Sequence, residues 1–365
     1  MKLWVFIFGM SLYTGAFALD QAQLTDTLVK ARSEMRMPGV RAAVRYPDGR
    51  MVLAATGLAD VEEDIPLDNS IGIPGGSTGK TFVAALTMLL IEDGVLSLDD
   101  LASKWLGKTP WYKQLPNAGS IRVRHLLAHT SGLSDYPATG RFQRAMIWRV
   151  MRHGSARFEP EELIAFVDNK KAAFPAGEGY RYTDAGYLVL GCLIEAATSR
   201  EYYDLLAERI LIPMQLKQVR IADQSILPNI AMGYTLGSRV QKEDGRMKFD
   251  PASEWTGGGL VTTPAMLATF FGALAEGQIV KPATLTEMLN DGWQNPETPE
   301  EHYGLGVFVW DAGRSFGHSG LWPGYRSYVK HDIQTGITVA VQTNRDGLVD
   351  LEALVEKIHA HDPEH

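Results

Sequence analysis

A period of two governs both ends of this chain, and a helical period fills its middle. A chain patterned this way must close its sheet from segments that lie far apart in sequence. Near the start, "VRAAVRYPDGRMVLAATG" alternates around Pro47-Asp48-Gly49, the pattern of a strand–turn–strand hairpin. Near the end, "YGLGVFVW", "YRSYVKHD" and "GITVAVQTN" are β-rich runs separated by Gly and Asp turns. Gln21 to Met35 reads as a helix ahead of the first hairpin, and Leu348 to His359 as a closing amphipathic helix. Between the ends, Phe82 to Asp93 has apolar residues at helical spacing and stops at Gly94. Ser97-x-x-Asp100 reads as a capping box opening the next helix, and Tyr187–Ser199 and Pro264–Glu276 as further helices. The pattern predicts an α+β fold, an α/β sandwich. One antiparallel sheet is built from both chain ends and flanked by helices, with a large, mostly helical region inserted over roughly residues 75–300. No linker divides residues 19–365, which read as a single domain with catalytic residues along the seam.

The first residues stand apart from that pattern. Lys2, an apolar run from Leu3 to Tyr13, and Ala16-Phe17-Ala18 have the order of a cleavable signal peptide covering residues 1–18. The run is short for a bilayer span, so no stable membrane span is expected after cleavage, and the mature protein is expected to be periplasmic or secreted. Removing Lys2 takes the net charge from −8 to −9. Acidic and basic residues are interspersed without a basic stripe, which argues against nucleic acid or an anionic membrane surface as partner. The single cysteine, Cys192, lies in the apolar run "GYLVLGCLIEAA" and reads as a buried structural thiol. No disulfide can form within the chain, so its stability must come from the core.

Residues 74–81, "PGGSTGKT", fit three chemistries. As a phosphate-binding loop the segment fails, because Pro74 stands where the first glycine belongs and has no N–H to offer. As a nucleophile elbow, Gly75-x-Ser77-x-Gly79 matches, and His318 could be the late histidine. The flanking sequence lacks the alternating strands and helices that such an elbow requires. As Ser77-x-x-Lys80, the segment puts both side chains on one face of a helix start. The positive end of the helix would favour the alkoxide, and a crowded, desolvated lysine could accept a proton. That motif alone is common by chance, and its partners decide.

Those partners are Tyr182-x-Asp184 in "GEGYRYTDAGYLVLGCLIE", His318-Ser319-Gly320 in "FGHSGLWPGYRS", "RHLLAHTSGL" from Arg124, and "GGGLVTTPAMLATFFGAL" from Gly257. Together with "STGKTFVAALTMLLIEDGVLSLDD", they resemble the serine β-lactamase-like superfamily over roughly residues 22–360. The branch they resemble holds class C β-lactamases, D-alanyl-D-alanine carboxypeptidases, D-aminopeptidases and β-lactamase-like esterases. The resemblance implies a β-lactamase/DD-peptidase-like fold and an acyl-enzyme mechanism without a cofactor. Ser77 would be the nucleophile, and Lys80 and Tyr182 would share the proton transfers. Tyr182 needs a nearby cation to act as a base near neutrality. Asp184, His318, Ser319 and Gly320 would touch the substrate, and the Leu321 backbone N–H would complete the oxyanion site. His125 and His129 are spaced four apart, like a metal pair, but neither a general-base Glu nor a third ligand accompanies them, so no metal is expected. His359, His361 and His365 read as a mobile tail.

Two positions depart from the family's pattern. Asp184 stands where an asparagine is usual, and His318 where a lysine is usual. Both put the substrate in question, and Asp184 would either favour a substrate N–H or ammonium or form a salt link to Lys80 that raises the lysine pKa. The leading reading is an exported serine hydrolase of an ester or amide, such as a D-amino-acid peptide of cell-wall origin. The alternatives are a class C-like β-lactamase and a penicillin-binding scaffold without turnover.

Overall fold

The computed structural model describes residues 19–167, 171–294 and 297–360. The leader reading, His361 and His365 fall outside them. Helix α1 (Gln21–Glu34) starts at a reciprocal cap in which the Asp20 carboxylate accepts from the Gln23 backbone and the Gln23 amide accepts from Asp20. The hairpin follows as β1 (Gly39–Arg45) and β2 (Met51–Asp60), with a short β3 (Ile65–Pro66). The other strands of the main sheet come from the far end: β4 (Trp293–Gln294), β5 (His302–Tyr303), β6 (Phe308–Trp310), β7 (Ser315–Trp322), β8 (Tyr325–Asp332) and β9 (Thr338–Thr343). Their order is β3-β2-β1-β9-β8-β7-β6-β5-β4, antiparallel throughout. The ends of the chain meet where β1 pairs with β9, in register from Val40↔Thr343 to Arg45↔Thr338.

The period-two pattern of β1 sorts its side chains between two cores. Val40, Ala42 and Val44 pack with Leu24 and Leu28 of α1 and with Leu354, Val355 and Ile358 of the closing helix (Leu351–Ala360). Ala43 faces the other way, into the core that holds Phe82, Phe270 and Phe271. Both faces of the sheet are therefore covered. The second face carries α2 (Gly79–Glu92) and the helix Pro264–Ala275, which meet where Phe82 stacks on Phe270 at 3.6 Å. Helix Pro264–Ala275 begins where its sequence says, with Thr263 accepting from the Met266 N–H and Pro264 in the first turn.

Arg41 also points into that second face and is fully buried. It donates to the carbonyls of Asp68 and Ile71, to the Thr262 carbonyl at 3.3 Å and to Gln342 Oε1 at 2.9 Å. Burial lowers its pKa to about 9, with Asp68 opposing. These bonds fasten the sheet to the segment that leads into Ser77.

Three sequence expectations are corrected here. Ser97–Asp100 closes a turn, with Asp100 accepting from the Ser97 N–H at 2.9 Å. The helix starts only at Ser103, because Leu101 is held extended by a bridge to Arg122. His359 is not in a mobile tail; it is buried in the closing helix. Cys192 is half-buried, packed against the main core rather than sealed within it. Among the described residues no helix is long and apolar enough to cross a membrane.

Candidate active site

Ser77 sits in a tight turn, Gly76–Thr78, that runs directly into α2. Two close approaches fix that turn against the sheet. Gly76 has φ +56° and a Cβ there would lie 2.8 Å from the Leu321 backbone nitrogen; a Cβ on Gly320 would lie 2.0 Å from the Gly75 carbonyl oxygen. Strand β6 pairs with β7 only from Gly317 to Ser315, which leaves that side of residues 318–322 without a strand. The Ser77 turn abuts β7 along this stretch.

One turn along α2, Lys80 is completely buried. Its ammonium donates to Ser77 Oγ at 2.9 Å, Asp184 Oδ1 at 2.6 Å and the Gly257 carbonyl at 2.6 Å. An ammonium has three N–H donors, and all three are used. Burial pulls the Lys80 pKa down, but Asp184, Tyr182 and Glu254 outweigh it, so the group stays protonated above its ordinary range. The expectation of a lysine ready to accept a proton is thereby corrected. The reason is Asp184, where an asparagine would have left the lysine without a carboxylate partner.

Tyr182 precedes α4 (Asp184–Thr198). His129, itself at φ +57°, holds the approach to that helix. Its carbonyl accepts from the Arg181 N–H at 3.0 Å, its Nδ1 from the Thr183 N–H at 3.2 Å, and its ring lies 4.0 Å from that of Tyr182. His125 likewise accepts the Arg122 N–H on Nδ1. The Tyr182 hydroxyl is buried without a well-formed hydrogen bond. Burial pushes its pKa up to about 12, with Lys80 and Ser77 pulling down and Asp184 pushing up. The Lys80 ammonium lies 5.1 Å from the centre of its ring.

Two carboxyls that sequence reasoning missed complete the site. Asp135 accepts from the Asp184 backbone N–H at 2.8 Å; burial and the charge of Asp184 raise its pKa to about 7. Glu254 is buried, and burial raises it to about 8, with Lys80 opposing and Asp184 reinforcing. Both line a cavity of about 700 Å³ together with Ser77, Tyr182, Asp184, Ser319 and Leu321. Asp135 lies six residues beyond His129 in the segment that "HTSGL" opens, which was the available signal; Glu254 belongs to no motif.

His318 does not line that cavity. It is fully buried, donates from Nδ1 to the Ser319 carbonyl at 2.6 Å, and accepts on Nε2 from the Tyr303 hydroxyl at 2.9 Å. Burial lowers its pKa to about 3, with Lys80 adding to the effect, so the ring is neutral. The expectation that its side chain meets substrate is corrected; the neighbouring Ser319 and Leu321 reach the cavity instead.

A serine bonded to a buried lysine at a helix start, facing the free side of a sheet strand, defines a β-lactamase-like serine hydrolase. The chain belongs to the Beta-lactamase family, whose model matches residues 24–361. It is 25% identical to Penicillin-binding protein 4 of Amycolatopsis lactamdurans over 89% of this chain and 85% of that one. It is 27% identical to a D-aminopeptidase of Brucella anthropi over 85% of this chain and 56% of the relative. A D-stereospecific amidohydrolase from Streptomyces sp. shares the fold with a TM-score of 0.80 at 25% identity, over 93% of this chain and 98% of that one.

Proposed function

We propose that the protein is an exported serine hydrolase, periplasmic or secreted, that cleaves an amide or ester through an acyl-enzyme on Ser77. The acyl part would carry a free amine, as an N-terminal D-amino acid does. The observation that carries this reading is the cluster of three carboxyls, Asp135, Asp184 and Glu254, around a nucleophile whose neighbouring cation, Lys80, has no donor to spare. Asp184 as a carboxylate can only accept, and an incoming ammonium would favour the ionised forms of Asp135 and Glu254, so the site is suited to an ammonium rather than to a substrate carbonyl. The likeness to a D-aminopeptidase and to a D-stereospecific amidohydrolase supports the same class. Export rests on Lys2, the apolar run from Leu3 and Ala16-Phe17-Ala18.

In this mechanism Lys80 is a fixed positive charge and Tyr182 moves the proton. Tyr182 first releases its own proton to solvent, with Lys80 stabilising the phenolate against the burial that raises its pKa, and the Ser77 Oγ–H proton then passes to that phenolate as Oγ bonds to the carbonyl carbon. The oxyanion forms between the backbone N–H groups of Ser77 and Leu321. Tyr182 then protonates the leaving amine or alcohol as its bond to carbon breaks. For deacylation Tyr182 takes a proton from water, water oxygen bonds to the acyl carbon, and the proton returns to Ser77 Oγ as that ester bond breaks.

The test is a fluorophosphonate label followed by mass, together with turnover of D-phenylalanine p-nitroanilide and its N-acetyl form. Labelling on Ser77, lost in Ser77→Ala without loss of fold, and a preference above tenfold for the free amine are expected. Undiminished labelling of Ser77→Ala refutes the nucleophile, and equal turnover of the N-acetyl form refutes the amine.

A further inference from the structure

Helix α3 (Gly140–His153) is more apolar than its packing requires. Phe142, Met146 and Val150 recur at helical spacing and turn toward the body of the protein, but Ile147 and Met151 beside them are 54% and 82% exposed. Next to this excess surface lies a second cavity, of about 340 Å³, lined by Ile147, Val150, Met151, Val240 and Met247 among others. It meets the catalytic cavity along a common wall, since Met146, Thr235, Phe249, Trp322 and Pro323 line both. Within that wall Phe249 and Trp322 are stacked at 4.8 Å.

The direction of this wall matters. Trp322 and Pro323 directly follow Leu321, whose backbone abuts the turn before Ser77. Continuing along β7 past Leu321 therefore leads from the Ser77 cavity to this wall.

Resting on the acyl-enzyme reading above, we propose that the two cavities form one groove for a long apolar chain carried by the acyl part of the substrate. The favoured substrates are amides or esters of acids with a linear apolar side chain of about six carbons or more. The polar end sits among Asp135, Asp184 and Glu254, and the chain runs past Trp322 onto α3. Burying successive methylenes against such a wall raises transition-state binding by about threefold each.

The experiment uses p-nitroanilides of D-2-aminoalkanoic acids with side chains from methyl to octyl, held below their micelle-forming concentrations. A parallel series keeps D-alanine as the acyl part and lengthens an alkyl leaving amine. In the acyl series kcat/KM should climb about two hundredfold from methyl to hexyl. Ile147→Trp, which fills the second cavity from its exposed rim, should reduce that rise to under tenfold and leave the methyl substrate unchanged. Met151→Lys should weaken the long substrates alone. A flat acyl series, a gain confined to the leaving-amine series, or an equal effect of Ile147→Trp on all lengths overturns the proposal. In each of these outcomes the wild-type protein still turns over the short substrate and is still labelled on Ser77. Loss of all turnover would instead overturn the hydrolase reading, so the two failures are distinguishable.

Discussion

Replacing Asp184 with asparagine isolates the group that makes this lysine a permanent cation. The amide oxygen can still accept from Lys80 at the 2.6 Å position, so the contact is kept and only the charge is removed. Two opposite charges this close, in surroundings of intermediate dielectric, attract by about 6 kcal/mol, and more than half of that is lost to solvent at the partly exposed carboxylate. About 2–3 kcal/mol of differential stabilisation corresponds to about two pK units. Asp184 raises the pKa of both Lys80 and Tyr182, so its neutralisation lowers both. The proton that must leave the Ser77–Lys80–Tyr182 cluster before acylation is then released at lower pH. The assay is the second-order rate of fluorophosphonate labelling from pH 5 to 10, using an uncharged probe so that substrate recognition does not intervene. The rising limb of that profile should shift about one to two units toward acid in Asp184→Asn. A limb that stays in place, or moves toward alkali, in a variant that unfolds at the wild-type temperature would refute the electrostatic account.

The remaining expectations use other parts of the site. Lys80→Ala and Tyr182→Phe should each lower kcat by orders of magnitude, with the double variant little worse than either; fully additive losses would show separate roles. Glu254 has a raised folded pKa of about 8, so it holds its proton in the native state after the unfolded chain has released it, and it destabilises the fold progressively as pH rises from about 4.5 to 8. Glu254→Gln should remove that slope, gaining about 2–4 kcal/mol relative to wild type by pH 8 in denaturant titrations, and a constant offset between the two proteins would contradict it. Gly76→Ala should cost about 1–2 kcal/mol for its left-handed backbone and reduce activity further by pushing Leu321 away. Gly49→Ala, with φ +84° and open space around it, should show the strain without the activity loss.

Much of the fold was legible because it rests on local signals. The helix over Gln21–Glu34, the hairpin around Asp48-Gly49 and the helix over Pro264–Ala275 follow from caps, turn residues and periodicity. Ser77-x-x-Lys80 was legible for the same reason, since three residues of helix bring the two together whatever surrounds them. The charge state of Lys80 stayed open between a proton acceptor and a salt-linked cation, because it depends on whether Asp184, 104 positions away, reaches it. Asp135 and Glu254 became site residues only through tertiary packing, one by accepting the Asp184 N–H and the other by burial beside the cavity. Ser97–Asp100 misled because a side chain that caps a helix also closes a turn, and the bridge from Leu101 to Arg122 selects between them.

The pairing of β1 with β9 sets a schedule for the growing chain. Val40 finds its partner Thr343 only after about 300 further residues have been made, and until then β1 has an unsatisfied edge. A nascent chain can form the hairpin and local helices, but it cannot close the sheet or bring Leu321 to the turn beside Ser77. Such a fold accumulates its contacts late and slowly. A chain that ends before Thr338 therefore keeps its whole serine–lysine–tyrosine set and still lacks the strand that would join its two ends. It is left with an open edge prone to pair with other copies.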